Sequence, residues 1–168
     1  GNVVHHFEMN YPHDHLEVSS EMEVETYPAL HQGAVEAVYS QTWNELVDEL
    51  RYQSGQFITN DHLFRFESKH VPVLDNLRDY GTLDFWPGRP VVQAGYALMQ
   101  RIYREFTYKS GSTTIDTPVT EVMQKRQGVC QDFAHVLLQI LRTLNIPCRY
   151  VSGYICPNKN GMRGEGAT

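Results

Sequence analysis

A chain of 168 residues, 41% of them hydrophobic and 20% charged, is long enough to bury a core and has the make-up of an ordinary globular protein, not of a disordered or fibrous one. The formal charge of −6 arises from acidic residues interleaved with apolar ones, so neither nucleic acid nor a membrane surface is expected as a partner. No run approaches the roughly 18 consecutive apolar residues of a spanning helix, and no basic-then-apolar leader opens the chain.

The cysteines number three, and Cys148 and Cys156 fall on one expected strand that would hold them apart. A disulfide framework is therefore not expected, which points to a reducing compartment, the cytoplasm. Gly1-Asn2 runs straight into the apolar-rich Val3–Met9, so the chain is expected to begin inside a structural element, as a fragment would.

Leu16, Val18, Ser20, Met22, Val24 and Thr26 alternate with Glu17, Ser19, Glu21, Glu23 and Glu25, the period of a half-buried strand. Val3–Met9 reads as its antiparallel neighbour through a turn at Tyr11–Asp14. From Pro28 to about Asp84 the signals weaken, although Thr42-Trp43-Asn44-Glu45 has capping-box spacing before Leu46, Val47 and Leu50 and predicts a short helix. A long helix is expected from about Pro90, with Val91, Val92, Leu98, Met99, Ile102, Tyr103 and Phe106 along its apolar face. Thr117-Pro118 announces a shorter one carrying Val119, Val122 and Met123 and ending in Lys125-Arg126.

Gly128 then opens into Cys130, and Phe133, Val136, Leu137, Ile140, Leu141 and Leu144 repeat at the spacing of a helix buried along one side. Asn145-Ile146-Pro147 ends it, and Arg149–Ile155 reads as a strand, so this helix should pack on a sheet. The polar, glycine-rich stretch from Asn158 to Gly166 reads as a loop.

Cys130 is the candidate nucleophile. A helix start leaves unpaired N–H groups and about half a positive charge, which favour thiolate over thiol and can later hold an oxyanion. The competing reading is a small core residue, as most free cysteines are. His135 is the nearest histidine in sequence, but five helical positions turn it by roughly 140° and carry it about 7.5 Å along the axis, outside hydrogen-bond reach of Cys130. It is expected to be structural. Asp132 is expected to serve the helix N-terminus in preference to catalysis.

His5, His6, His13 and His15 form a cluster, but no zinc-type ligand spacing accompanies them, and solvated surface histidines are the simpler account. His31, His62 and His70 are isolated, and read as surface or capping residues. No phosphate-binding, dinucleotide-binding or serine-hydrolase motif is present, so no cofactor and no metal are expected.

The runs Phe106-Thr107-Tyr108, Ser112-Thr113-Thr114, Thr117-Pro118, Gly128-Val129-Cys130-Gln131-Asp132-Phe133-Ala134-His135 and Ile146-Pro147-Cys148-Arg149-Tyr150-Val151-Ser152-Gly153-Tyr154 together resemble the transglutaminase-like superfamily of microbial proteins. The resemblance implies an α+β, papain-like core over residues 90–168, with the nucleophile helix packed on an antiparallel sheet. Residues 1–30 would be the end of a β-rich N-terminal region, and residues 31–89 a connector with short helices. It carries the nucleophile onto Cys130, with Gly128, Gln131, Asp132 and His135 as motif support, and implies a partner histidine and aspartate on strands expected beyond Thr168.

The activity implied is acyl transfer on an amide of a peptide or protein substrate, with hydrolysis as the leading outcome. Protein cross-linking through glutamine, or a non-catalytic domain of the same fold used for binding, are the alternatives. The oligomeric state is not legible.

Overall fold

The computed structural model describes residues 6–21, 23–25, 41–114 and 116–153. The chain divides into two units, Gly1–Tyr27 with Tyr154–Thr168, and Pro28–Gly153.

In the first unit the described residues form neither helix nor strand, and all but the half-buried Met9 are exposed. The hairpin expected over Val3–Met9 and Leu16–Thr26 is therefore not formed by its described part; Val3, Val4, His5, Met22 and Thr26 lie outside the described residues. Alternation states which face a strand would bury, but a strand also needs a neighbour to take up its N–H and C=O groups, and the pattern does not supply one.

The second unit is built on helices whose ends are specified locally. Helix α1, Trp43–Glu49, starts at Thr42 with both halves of the expected capping box: Glu45 N–H donates to the Thr42 hydroxyl (3.3 Å), and Thr42 N–H donates to the Glu45 carboxylate (2.9 Å). An antiparallel bridge from Thr42 to Pro90 ties this start to the next long helix. The Trp43 indole donates to the Trp86 carbonyl and meets Phe85 edge-on, at 6.0 Å between centroids.

Three short elements follow: α2 at Asn60–Leu63, a 3₁₀ turn at Asp75–Leu77 and α3 at Arg78–Thr82. His62 is buried, and its Nδ1 accepts the Thr59 N–H (3.2 Å), so this histidine caps α2, in line with the capping role read for it.

Helix α4, Val91–Glu105, begins immediately after Pro90, where the proline serves as the residue that flanks the first turn. It buries Ala94, Leu98 and Ile102, one stripe at four-residue spacing. Its expected apolar face was drawn too wide: Met99 is 44% exposed and Tyr103 86%. Arg101, its side chain largely buried, is stacked over Tyr80 and paired with the Asp84 carboxylate at 2.6 Å.

Strand β1, Thr107–Tyr108, then leads by way of helix α5, Val119–Lys125, to strand β2, Gln127–Gly128. The two strands run parallel, with Thr107 opposite Gln127 and Tyr108 opposite Gly128. Helix α5 is closed by Arg126 in a left-handed conformation (φ 52°), its guanidinium resting over Tyr80 and Phe106 and paired with Glu105.

Helix α6, Cys130–Thr143, crosses this core and buries Val136 and Ile140 completely. It ends where expected. Asn145 is left-handed (φ 62°), its N–H bonds the Arg142 carbonyl and the Ile146 N–H reaches back to Leu141, a Schellman closure that satisfies the last carbonyls. Gly81 lets α3 approach α6 closely, since a methyl group there would lie 2.7 Å from an Ile140 carbon.

The sheet departs from the sequence reading. Among the described residues it is a parallel pair of two-residue strands, not an antiparallel sheet, and residues 149–153 form no strand. Tyr150 and Val151 favour extension but specify no ladder partner; the neighbouring Cys148 N–H bonds the Phe64 carbonyl across the chain at 3.2 Å.

Candidate active site

Strand β2 delivers the chain through Val129, in an extended conformation, directly into the first residue of α6. That residue is Cys130, a free thiol exposed to solvent. The core-residue alternative thus finds no support in its surroundings, whereas Cys148, half buried with its sulfur 3.5 Å from the Leu138 carbonyl, fits that description. Burial pushes the Cys148 thiol up from its ordinary value, with Arg142 opposing.

Four features set the start of α6. Asp132 is buried and turns back so that its Oδ2 accepts the Val129 N–H at 2.7 Å. The same oxygen accepts the Thr113 hydroxyl at 2.6 Å, from a segment nineteen residues earlier. Gly128 makes room for this carboxylate: a Cβ at that position would stand 2.7 Å from Oδ2 and 2.9 Å from the Asp132 Cβ. No described hydrogen bond takes up the Cys130 N–H, so a donor and the positive end of the helix lie beside the thiol. Gln131 follows, half buried, with no described side-chain hydrogen bond.

Phe133, Ala134 and Leu137 continue the Cys130 side of the helix at three, four and seven positions on. With Met99, Ile102 and Tyr103 of α4 they line an apolar groove of about 200 Å³.

His135 lies elsewhere. Its ring is parallel to that of His70, 6.0 Å between centroids, and tilted against Tyr150 at 5.5 Å. Together with Lys69, Asp116 and Thr117, the two histidines border a cavity of about 310 Å³. Burial first, then the neighbouring His70, hold the His135 pKa below its ordinary value, with Asp132 opposing. No hydrogen bond joins His135 to Cys130, and among the described residues no histidine bonds the thiol.

His6, His13 and His15 are exposed, and His13 Nδ1 is 3.1 Å from the Tyr11 carbonyl; His5 and His31 lie outside the described residues. Among the described residues no three His, Cys, Asp or Glu side chains gather to hold a metal ion. No helix there is long and apolar enough to cross a membrane.

Sequence reasoning overlooked the pairing of His70 and Tyr150 with His135, and the part of Thr113 at Asp132. Thr113 lies in the Ser112-Thr113-Thr114 run that shares in the family resemblance, but nothing in that run ties it to Asp132, because a contact across nineteen positions leaves no local pattern.

A solvent-facing cysteine thus opens a core helix that is fed by a short strand, in a domain of helices with a small parallel sheet. Residues 87–167 match the model of the transglutaminase-like superfamily, and this part of the chain is similar to it. An uncharacterized protein of Mycobacterium tuberculosis is 35% identical over 172 residues, spanning 100% of this chain and 53% of the relative. An uncharacterized protein of Mycobacterium leprae is 30% identical over 168 residues, spanning 98% of this chain and 55% of the relative. The chain thus covers about half the length of these curated relatives. Among solved structures, "a Putative Cysteine Protease from Cytophaga hutchinsonii" is similar with a TM-score of 0.52 and 26% identity, over 67% of this chain and 35% of that one.

Proposed function

We propose that this chain carries the nucleophile half of a thiol enzyme that cleaves amide bonds in a peptide or protein. The observation behind it is the Cys130 thiol, exposed at the first residue of α6 beside an unpartnered N–H. In the reaction the Cys130 sulfur attacks the amide carbonyl carbon, and its proton passes to a base. The negative charge that develops on the carbonyl oxygen meets the Cys130 N–H and the helix dipole. The C–N bond then breaks, the amine leaves with a proton, and a thioester remains on Cys130. Water adds to the thioester, the C–S bond breaks, and a free carboxylate departs.

The base and the acid that orients it belong, on this reading, to a histidine and an aspartate outside the described residues. The similar structure named for a cysteine protease supports hydrolysis over transfer to a second amine. A non-catalytic binding domain is the second reading, and it is favoured by the lack of a described histidine bonded to the thiol.

The discriminating measurement is intact mass of the full-length protein after incubation with a peptide mixture, with and without a fluorescent primary amine. Peptide cleavage together with a transient mass gain on Cys130, both lost in Cys130→Ala, is expected. Amine joined to glutamine without cleavage would replace hydrolysis by cross-linking. No cleavage, no mass gain and a Cys130 no more reactive than in the unfolded chain would leave the binding domain.

A further inference from the structure

We propose that Thr113 is a positioning residue for the Cys130 nucleophile, acting through Asp132; this rests on the thiol-enzyme reading above. The argument begins with what the start of α6 lacks. A capping box needs a hydroxyl on the flanking residue and an acidic group three positions on, each holding the other's N–H. Here the acidic group is present as Asp132, but the flanking residue is Val129, whose side chain has no oxygen. Half of the box is therefore missing, one residue before the nucleophile.

Thr113, from a distant part of the chain, does not replace the acceptor that a capping hydroxyl would offer the Asp132 N–H, but braces the half of the box that is present. Its hydroxyl donates to Asp132 Oδ2 at 2.6 Å, on the oxygen that also takes the Val129 N–H at 2.7 Å. The carboxylate is buried, so few other donors can replace a lost one. The placement of Thr113 is itself fixed: Lys109 N–H bonds the Gly128 carbonyl at 2.9 Å, and the turn closed by Ser112 on Lys109 brings residue 113 back over β2. The segment after β1 and the segment before Cys130 thus share a ladder at one end and a carboxylate at the other.

Two consequences reach the thiol. The first turn of α6 is held in one orientation, which fixes the Cys130 N–H relative to its own sulfur. The negative charge of Asp132, two residues from the thiol, is also directed onto two donors and away from the sulfur, whose ionised form it would oppose.

The test uses the full-length protein with Thr113→Val and Thr113→Ser. Alkylation of Cys130 by iodoacetamide is followed against pH by peptide mapping, and hydrogen exchange is followed at the Val129 amide. Thr113→Val is expected to slow alkylation at neutral pH about tenfold, to move the pH midpoint upward and to speed exchange at Val129. Thr113→Ser, which keeps the hydroxyl, should stay within about twofold of the parent, since a retained donor retains the bond.

Unchanged exchange in Thr113→Val overturns the proposal, and so does faster exchange with an unmoved alkylation profile, which would leave Thr113 purely structural. Should Cys130 of the parent react no faster than in the urea-unfolded chain, the thiol-enzyme reading fails and the positioning role falls with it. That failure is told apart because exchange at Val129 still responds to Thr113→Val.

Discussion

Beside Cys130 the tightest steric condition falls on Gly128. Its hydrogen faces the Asp132 carboxylate, and the space for a methyl group is taken by atoms at 2.7 to 3.1 Å. Asp132 cannot retreat without releasing the Val129 N–H and the Thr113 hydroxyl. Gly128→Ala should therefore cost about 1–3 kcal/mol, measured by urea unfolding, and slow Cys130 alkylation in the same sample.

His135 supplies a second prediction at this scale. Its folded pKa lies below the ordinary value of 6.5, so the unfolded chain binds the proton more readily. The stability that depends on neutral His135 is then fully present above pH 6.5 and drains away as pH falls from there through the lower folded value. Denaturant midpoints compared at pH 8 and pH 5 should fall less in His135→Phe, which keeps a ring against His70 and Tyr150 but cannot take a proton. An equal fall in both proteins would mean that other groups govern the acid limb.

At the scale of elements, the starts and stops of helices were legible because they are written in neighbouring residues. The Thr42–Glu45 box, Pro90, Pro118 and the Asn145-Ile146-Pro147 ending all predicted boundaries that the structure shows. Strands were read poorly for the complementary reason. The Leu16–Thr26 alternation is a property of one segment, whereas a strand is a property of two, and β1 and β2 are too short to show any period. The same limit hid Thr113: the acidic half of the capping at Asp132 could be read locally, its hydroxyl partner could not.

Asn145 tests the local code directly. Its left-handed backbone (φ 62°) suits glycine or asparagine, so Asn145→Gly should hold stability while Asn145→Val should lose about 1–2 kcal/mol in thermal or urea unfolding. Equal stability of the two variants would show that the Schellman closure contributes little.

At the scale of the molecule, stability is concentrated where α4 and α6 meet. Leu98 is fully buried among core residues that include Val136 and Ile140, so Leu98→Ala should cost about 2–5 kcal/mol. The described residues before Glu25 offer a contrast, with exposed side chains and no helix or strand. Limited proteolysis followed by mass should cut between residues 6 and 25 well before it cuts between 91 and 146. Early cuts inside α4 or α6 would contradict the burial pattern.

The link between Thr113 and Asp132 also orders events in time. Helix α6 can gain its turns from neighbouring residues within about a microsecond, but the carboxylate meets its hydroxyl, nineteen positions away, only after the chain between them has closed and β1 has found β2. During refolding from urea, the far-ultraviolet helical signal should therefore recover before Cys130 acquires its native rate of alkylation. The interval between the two is the time for which the chain has its helix but not yet a fixed nucleophile.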